Sequence, residues 1–154
     1  MSLDNKPLVV AFCCNWCSYA GADLAGTSRM QYPSEVKIIK IPCSCRIDPI
    51  FILRAFQKGA DGVICCGCHP NDCHYSTGNF YARRRMILFY SVLEYMGVER
   101  ERTRLEWVSA AEGAKFSNVM TDFTAQISKL GKNTRFVDRR VGGAGKDENR
   151  NSDN

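Results

Sequence analysis

The sequence predicts an α/β protein: a doubly wound parallel sheet of four strands with helices on both faces. Three observations carry this. Four short apolar runs have strand character, helical patterns separate them, and each link from strand to helix to strand implies a crossover and not a hairpin. Right-handed crossovers in a doubly wound order place the first strand between the second and third. The expected order is 2-1-3-4, a small flavodoxin-like sheet.

The first strand is read at Leu8–Cys13, and the helix after it at Ser18–Arg29, an Ala-rich stretch interrupted by Gly21 and Gly26. The second strand is Val36–Ile41. Asp48 followed by Pro49 is an N-cap with proline at the first helical position, so the second helix runs from Pro49 to Lys58 and stops at Gly59. The third strand is Gly62–Cys66. The third helix is expected at Asn79–Met96, ending at Gly97. Its half from Met86 to Met96 is apolar almost all round, which predicts burial on more than one side. In the fourth strand, Arg104–Val108, Leu105 and Trp107 alternate with charged neighbours. Ser109 and Glu112 form a capping-box pattern for a fourth helix, whose apolar face runs through Phe116, Val119, Met120, Phe123, Ile127 and Leu130 to Gly131.

With 154 residues, 45% apolar and 24% charged, one globular domain is expected. It spans residues 8–131, after a polar N-terminal segment at 1–7. Residues 132–154 hold six basic and four acidic side chains with few apolar ones, and read as a polar tail, disordered unless bound. The net charge of +5 falls to +3 without that tail. No basic stripe interleaved with aromatics is present, so no nucleic-acid partner is expected. The longest charge-free stretch, Pro7 to Ala22, is 16 residues long and interrupted by cysteines, an asparagine and a glycine, too short to span a bilayer. The start of the chain lacks a basic segment followed by an apolar one, so no membrane partner and a cytoplasmic location are expected.

The unusual number is nine cysteines, all between Cys13 and Cys73. In a reducing compartment such clustering points to metal, cluster or redox chemistry and not to structural disulfides. Cys13, Cys14 and Cys17 follow the first strand, Cys43 and Cys45 the second, Cys68 and Cys73 the third. All three loops belong to the carboxyl edge of the sheet, at the point where winding reverses, where open parallel sheets bind ligands. Four thiolates are what an iron-sulfur cluster or a structural zinc requires. Cys14-Asn15-Trp16-Cys17 alone would equally suit a thiol-disulfide oxidoreductase, its thiol activated at a helix N-terminus. The spacing of Cys68 and Cys73 suits zinc and iron-sulfur sites alike. Cys13, Cys65 and Cys66 read as buried small hydrophobes, and Cys45 as a spare or accessory ligand. His69 and His74, confined to the third loop, suit a Rieske-like or zinc ligand role, but a hydrogen bond to cluster sulfur is the preferred reading. Arg46 is a candidate to compensate thiolate charge. Arg83, Arg84 and Arg85 read as a solvated face or a docking patch for an acidic partner.

Three motifs, Cys14-Asn15-Trp16-Cys17-Ser18-Tyr19-Ala20-Gly21-Ala22-Asp23, Cys43-Ser44-Cys45-Arg46-Ile47-Asp48-Pro49 and Gly67-Cys68-His69-Pro70-Asn71-Asp72-Cys73-His74-Tyr75, stand in one order. With Leu105-Glu106-Trp107-Val108-Ser109-Ala110, they make the chain closely resemble the delta subunit of methyl-viologen-reducing hydrogenase, over about Leu8 to Gly131. The resemblance implies a flavodoxin-like protein without flavin that carries a 2Fe-2S cluster. It further implies a relay with no catalytic site of its own, passing electrons from a hydrogenase, or a formate dehydrogenase, to the flavoprotein subunit of heterodisulfide reductase. The family's motif cysteines carry over to Cys14, Cys17, Cys43, Cys68 and Cys73, one more than such a cluster needs. The chain departs from the family pattern at Cys45, commonly glycine there, and at Cys65 and Cys66. A zinc-stabilised interaction module and a Cys-x-x-Cys oxidoreductase remain as alternatives from the residues themselves.

Overall fold

A computed structural model describes residues 6–135. The elements follow one another as β1 (Val9–Cys14), α1 (Ser18–Thr27), β2 (Val36–Ile41), α2 (Pro49–Gln57), β3 (Gly62–Gly67), α3 (Gly78–Tyr95), β4 (Thr103–Trp107) and α4 (Gly113–Leu130). Single 3₁₀ turns at Ser44–Arg46 and Arg100–Arg102 precede α2 and β4. The strands form one parallel sheet in the order β2-β1-β3-β4, as the alternation of elements predicts.

Side chains alternate across the strands and build two cores. Val9, Ala11 and Cys13 of β1 and Ile64 and Cys66 of β3 meet Ala22 and Ala25 of α1 and Phe116, Met120, Phe123 and Ile127 of α4. On the opposite face Phe12, Val63 and Cys65 meet Ile52 and Phe56 of α2 and Met86, Phe89 and Leu93 of α3. Burying each such large side chain contributes about 1.5–3 kcal/mol, and these layers seat the strands in register. Cys13 lies opposite Lys40 on one side and Cys66 on the other, and Cys14 opposite Ile41. At Gly62 the sheet and α4 approach so closely that a Cβ would lie 2.5 Å from Ile127 Cγ1.

The α2 start is as the sequence predicts: the Asp48 carboxylate accepts from Ile50 N–H at 2.9 Å, with Pro49 leading the helix. Three expectations need correction. The helix α3 buries only one stripe, Gly78, Asn79, Ala82, Met86, Phe89 and Leu93, while Ile87, Leu88, Val92 and Tyr95 are exposed. A helix at the outside of a three-layer fold has a single core to face, so an apolar far side finds nothing to pack on. The helix α4 starts at Gly113, four residues after Ser109. The Glu112 carboxylate does accept from Ser109 N–H at 2.8 Å, but it is shared with His69, and Ser109 stays in the preceding loop. Finally, the ordered structure continues past Gly131: Asn133 is buried. The expected tail at 136–154 lies outside the described residues.

One buried carboxylate closes the end of the sheet away from the cysteines. Asp61 accepts from Leu8 N–H and Asn133 N–H, both at 2.8 Å, and pairs with Lys132 Nζ at 3.1 Å. Beside it, the buried Arg102 guanidinium donates to Asp61 O, Gly131 O and Leu130 O, capping the end of α4. Asp61→Ala strands one buried and one half-buried amide donor, so urea unfolding should show a loss of about 2–4 kcal/mol. Because Asp61 is remote from the thiols, metal content of the folded variant should match the wild type.

Candidate metal centre

Cys14 is the last residue of β1, Cys43 follows β2, and Cys68 is the first residue beyond β3. Parallel strands end on the same side, so three segments far apart in sequence deliver thiols to one place. Cys17 is the N-cap of α1, and its carbonyl accepts the first helical bond from Gly21 N–H at 2.8 Å. Cys73 sits in a tight loop whose Asn71 and Ser76 have left-handed backbone, at φ 71° and 65°, and whose Ser76 N–H donates back to Cys73 O at 2.8 Å.

The sulfurs of Cys14, Cys17 and Cys68 lie within 4.8 Å of one another, with Cys14 and Cys68 at 3.8 Å. The sulfurs of Cys43 and Cys73 converge over Gly78, where a Cβ would sit 2.6 Å from the first and 3.1 Å from the second. All five are buried and form one contiguous group, with Cys45 packed against it. The structure therefore brings together every cysteine predicted as a ligand. Cys13 and Cys66 lie in one apolar core and Cys65 in the other, as small hydrophobes.

The electrostatics suit a cation. The Cys17 thiol donates to Cys14 and lowers the Cys14 pKa, helped by backbone N–H donors; the same sharing, with burial, raises Cys17. Burial pushes Cys43 up to about 12 and also raises Cys68. A bound cation removes this penalty because thiolates ionise against its charge. Two thiolates on one tetrahedral ion with S bonds of about 2.3 Å are about 3.8 Å apart, the separation of Cys14 and Cys68. Soft, buried, adjacent sulfurs thus fit a thiophilic metal or an iron-sulfur cluster.

The loops are held by their backbones. Asn79 Nδ2 donates to Cys68 O at 3.1 Å and His69 O at 2.6 Å. Ser18 Oγ donates to Cys66 O at 2.8 Å. Arg85 Nη1 donates to Cys45 O at 2.8 Å and Ile47 O at 2.6 Å, clamping the second loop to α3. Sequence reasoning assigned no loop-holding role to Gly78, Asn79 or Arg85; the only signal was their position just after the third motif. Arg46, the candidate for charge compensation, stacks on the Phe51 ring instead, at 5.6 Å. The histidine rings bind elsewhere, while the His74 main-chain N–H donates to the Cys68 sulfur. His69 Nε2 pairs with Glu112 Oε2 at 2.7 Å, and His74 stacks on Trp16 with ring centres 3.8 Å apart, while Trp16 Nε1 donates to Tyr75 Oη at 3.2 Å. Aromatic contacts thus lock the first loop to the third.

Comparison with known proteins places the chain in a family. The family model described as methyl-viologen-reducing hydrogenase, delta subunit, matches residues 9–131. The chain belongs to this family. It is 52% identical over 131 residues to the vhc iron-sulfur subunit of the F420-non-reducing hydrogenase of Methanococcus voltae, covering 85% of this chain and 91% of that one. The match to the iron-sulfur subunit of the F420-non-reducing hydrogenase of Archaeoglobus profundus is also 52%, over 85% of this chain and 96% of that one. A third relative has a different build. It is a subunit of the ferredoxin:CoB-CoM heterodisulfide reductase of Methanosarcina mazei, 48% identical over 81% of this chain, yet the match occupies 16% of that longer protein. Among the described residues no helix is long and apolar enough to cross a membrane.

Two variants probe the site. Gly78→Ala places a methyl group against the Cys43 and Cys73 sulfurs; the far-ultraviolet circular dichroism should be retained while bound metal falls by more than half. Ser109 N–H and His69 hold the Glu112 carboxyl down to about 2, from 4.5. A depressed carboxyl adds stability that is fully present above about pH 5 and is lost as pH falls through the folded value. Acid titration of Glu112→Gln should accordingly show a shallower stability loss between pH 5 and 2 than the wild type.

Proposed function

We propose that the chain is an iron-sulfur electron-transfer subunit holding one 2Fe-2S cluster through four of Cys14, Cys17, Cys43, Cys68 and Cys73, in a flavodoxin-like frame that carries no flavin. The observation that supports this most is the buried group of five thiols drawn from three loops of one sheet edge. When bound, such a cluster supplies a one-electron couple whose potential depends on hydrogen bonding to sulfur and on solvent exposure. The chain's own residues supply the rest. The thiols are buried, Asn79 and Arg85 fix the loop backbones, and the Trp16–His74 stack joins the first loop to the third.

The relay runs from a hydrogenase, or a formate dehydrogenase, to the flavoprotein subunit of heterodisulfide reductase. The names of the relatives support both ends: some are hydrogenase iron-sulfur subunits, and one belongs to a heterodisulfide reductase. The burial of Cys14 and Cys17 weighs against a dithiol oxidoreductase, which needs an exposed attacking thiolate. The short Cys14–Cys68 separation keeps a zinc site as a second reading.

Protein purified without oxygen should contain about two irons and two acid-labile sulfides per chain and give an EPR signal on one-electron reduction. Zinc without sulfide would replace the relay with a zinc module, and metal-free reactive thiol would reject both. Cys14→Ser, Cys43→Ser and Cys68→Ser, read by iron content, should each lose metal; retention in Cys43→Ser alone would remove Cys43 from the ligand set.

A further inference from the structure

Ser44 stands between Cys43 and Cys45, at the start of the 3₁₀ turn that follows β2, and it is fully buried. Its main chain is committed: the N–H donates to the Cys14 sulfur, and the carbonyl accepts from Ile47 N–H at 3.0 Å. Its hydroxyl is not. Ser44 Oγ has no hydrogen-bond partner among the described residues, whereas native proteins pair nearly all buried polar groups because an unpaired one costs free energy. The buried hydroxyls of Thr103 and Thr124 share this condition, but Thr103 opens β4 at the opposite end of the sheet and Thr124 lies in the second half of α4. Room for the Ser44 hydroxyl is made on β3. A Cβ on Gly67 would lie 2.9 Å from Ser44 Oγ and 2.9 Å from Trp107 Cζ3, and Gly67 directly precedes Cys68. The hydroxyl is thereby seated where the cysteine loops after β2 and β3 meet. Other polar side chains near the thiols have their partners elsewhere: Ser18, Asn79 and Arg85 donate to carbonyls, and His69 pairs with Glu112.

We propose that the Ser44 hydroxyl donates a hydrogen bond to a sulfur of the bound iron-sulfur centre and raises its reduction potential. The proposal rests on the electron-transfer function above. The acceptor follows from the chemistry of the surroundings. A protonated thiol is a weak acceptor, so the hydroxyl gains little from the free cysteines on either side of it. Cluster ligation turns those thiols into thiolates and adds sulfide, and an ionised acceptor roughly doubles the strength of a hydrogen bond. The donor is already held in place, because the N–H of the same residue is fixed on the Cys14 sulfur. Reduction adds one electron to the cluster and makes its sulfurs more negative. A donor against sulfur therefore stabilises the reduced form more than the oxidised form, which raises the potential. The electron resides on the cluster, and the hydroxyl keeps its proton throughout. Burial strengthens the effect, since a low local dielectric leaves the O–H dipole poorly screened.

The test uses the full chain loaded with its cluster and purified without oxygen, with the midpoint potential read by an EPR-monitored redox titration. Ser44→Ala should keep iron and sulfide at the wild-type level. At a fixed ambient potential its ratio of reduced to oxidised cluster should fall about 10-fold, which is ~59 mV for a one-electron couple. Thr124→Val removes an equally unpaired hydroxyl away from the thiols and should leave that ratio within 2-fold. After exchange into deuterium oxide, electron-nuclear double resonance of the reduced wild type should show a deuteron coupling that Ser44→Ala lacks. A ratio within 2-fold of the wild type in Ser44→Ala, the result if the hydroxyl binds only water, overturns the proposal. So does a lowered potential with the deuteron coupling retained, or an equal fall in Thr124→Val. Loss of iron from Ser44→Ala overturns it too, because the hydroxyl then holds the loop and does not tune the electron. Wild-type protein with zinc or no metal fails the electron-transfer function itself, whereas an intact cluster indifferent to Ser44→Ala fails this proposal alone.

Discussion

Everything at the thiol site depends on the parallel sense of the sheet. Strands that run the same way leave their carboxyl ends on one side, so the loops after β1, β2 and β3 open together although the cysteines they carry are up to 59 positions apart, from Cys14 to Cys73. The register matters as much as the direction. Cys14 ends β1 opposite Ile41, and the next position beyond β3 is Cys68. A slip of one residue would exchange the faces of β1 and send Cys13, now in the apolar core beside Cys66, toward the other side. The two cores prevent such a slip, because α1 with α4 and α2 with α3 each demand their own set of strand residues.

Gathering five sulfurs away from water creates an electrostatic problem that no cation among the described residues is seen to solve. Arg85 reaches the second loop, and it is spent on the carbonyls of Cys45 and Ile47. Asn79 and Ser18 likewise bind main-chain carbonyls beside the cysteines. The surrounding side chains therefore fix where the loops run and leave the sulfurs to one another, a state in which burial opposes ionisation of Cys43 and Cys68. A metal's charge resolves that opposition, which is why the arrangement is better suited to holding a cluster than to thiol exchange.

The helix α3 couples this centre to the surface. Its first residue, Gly78, lies against two sulfurs, its inner stripe completes one core, and its outer stripe is apolar and exposed. Centre and surface are built on the same rigid element.

The sequence by itself determined the class of the fold and its strand order, while the five candidate ligands came from its resemblance to a family. Alternating apolar periods report local structure, and the crossover rules leave few ways to assemble them, so chain order alone assigns three cysteine-bearing loops to one edge. Local chemistry was equally legible where it acts over one turn, as at Asp48 and Pro49. Tertiary structure alone decided what depends on neighbours distant in the chain. Met86 to Met96 looks buried all round because composition does not say how many layers will cover a helix, and only one does. The pairing of His69 with Glu112, the stacking of His74 on Trp16 and the Arg85 clamp each join segments from different loops, and no spacing rule encodes them. The division has one physical cause: backbone propensity and periodicity are properties of short segments, whereas burial, hydrogen-bond partners and the convergence of thiols on Gly78 exist only after the segments have packed.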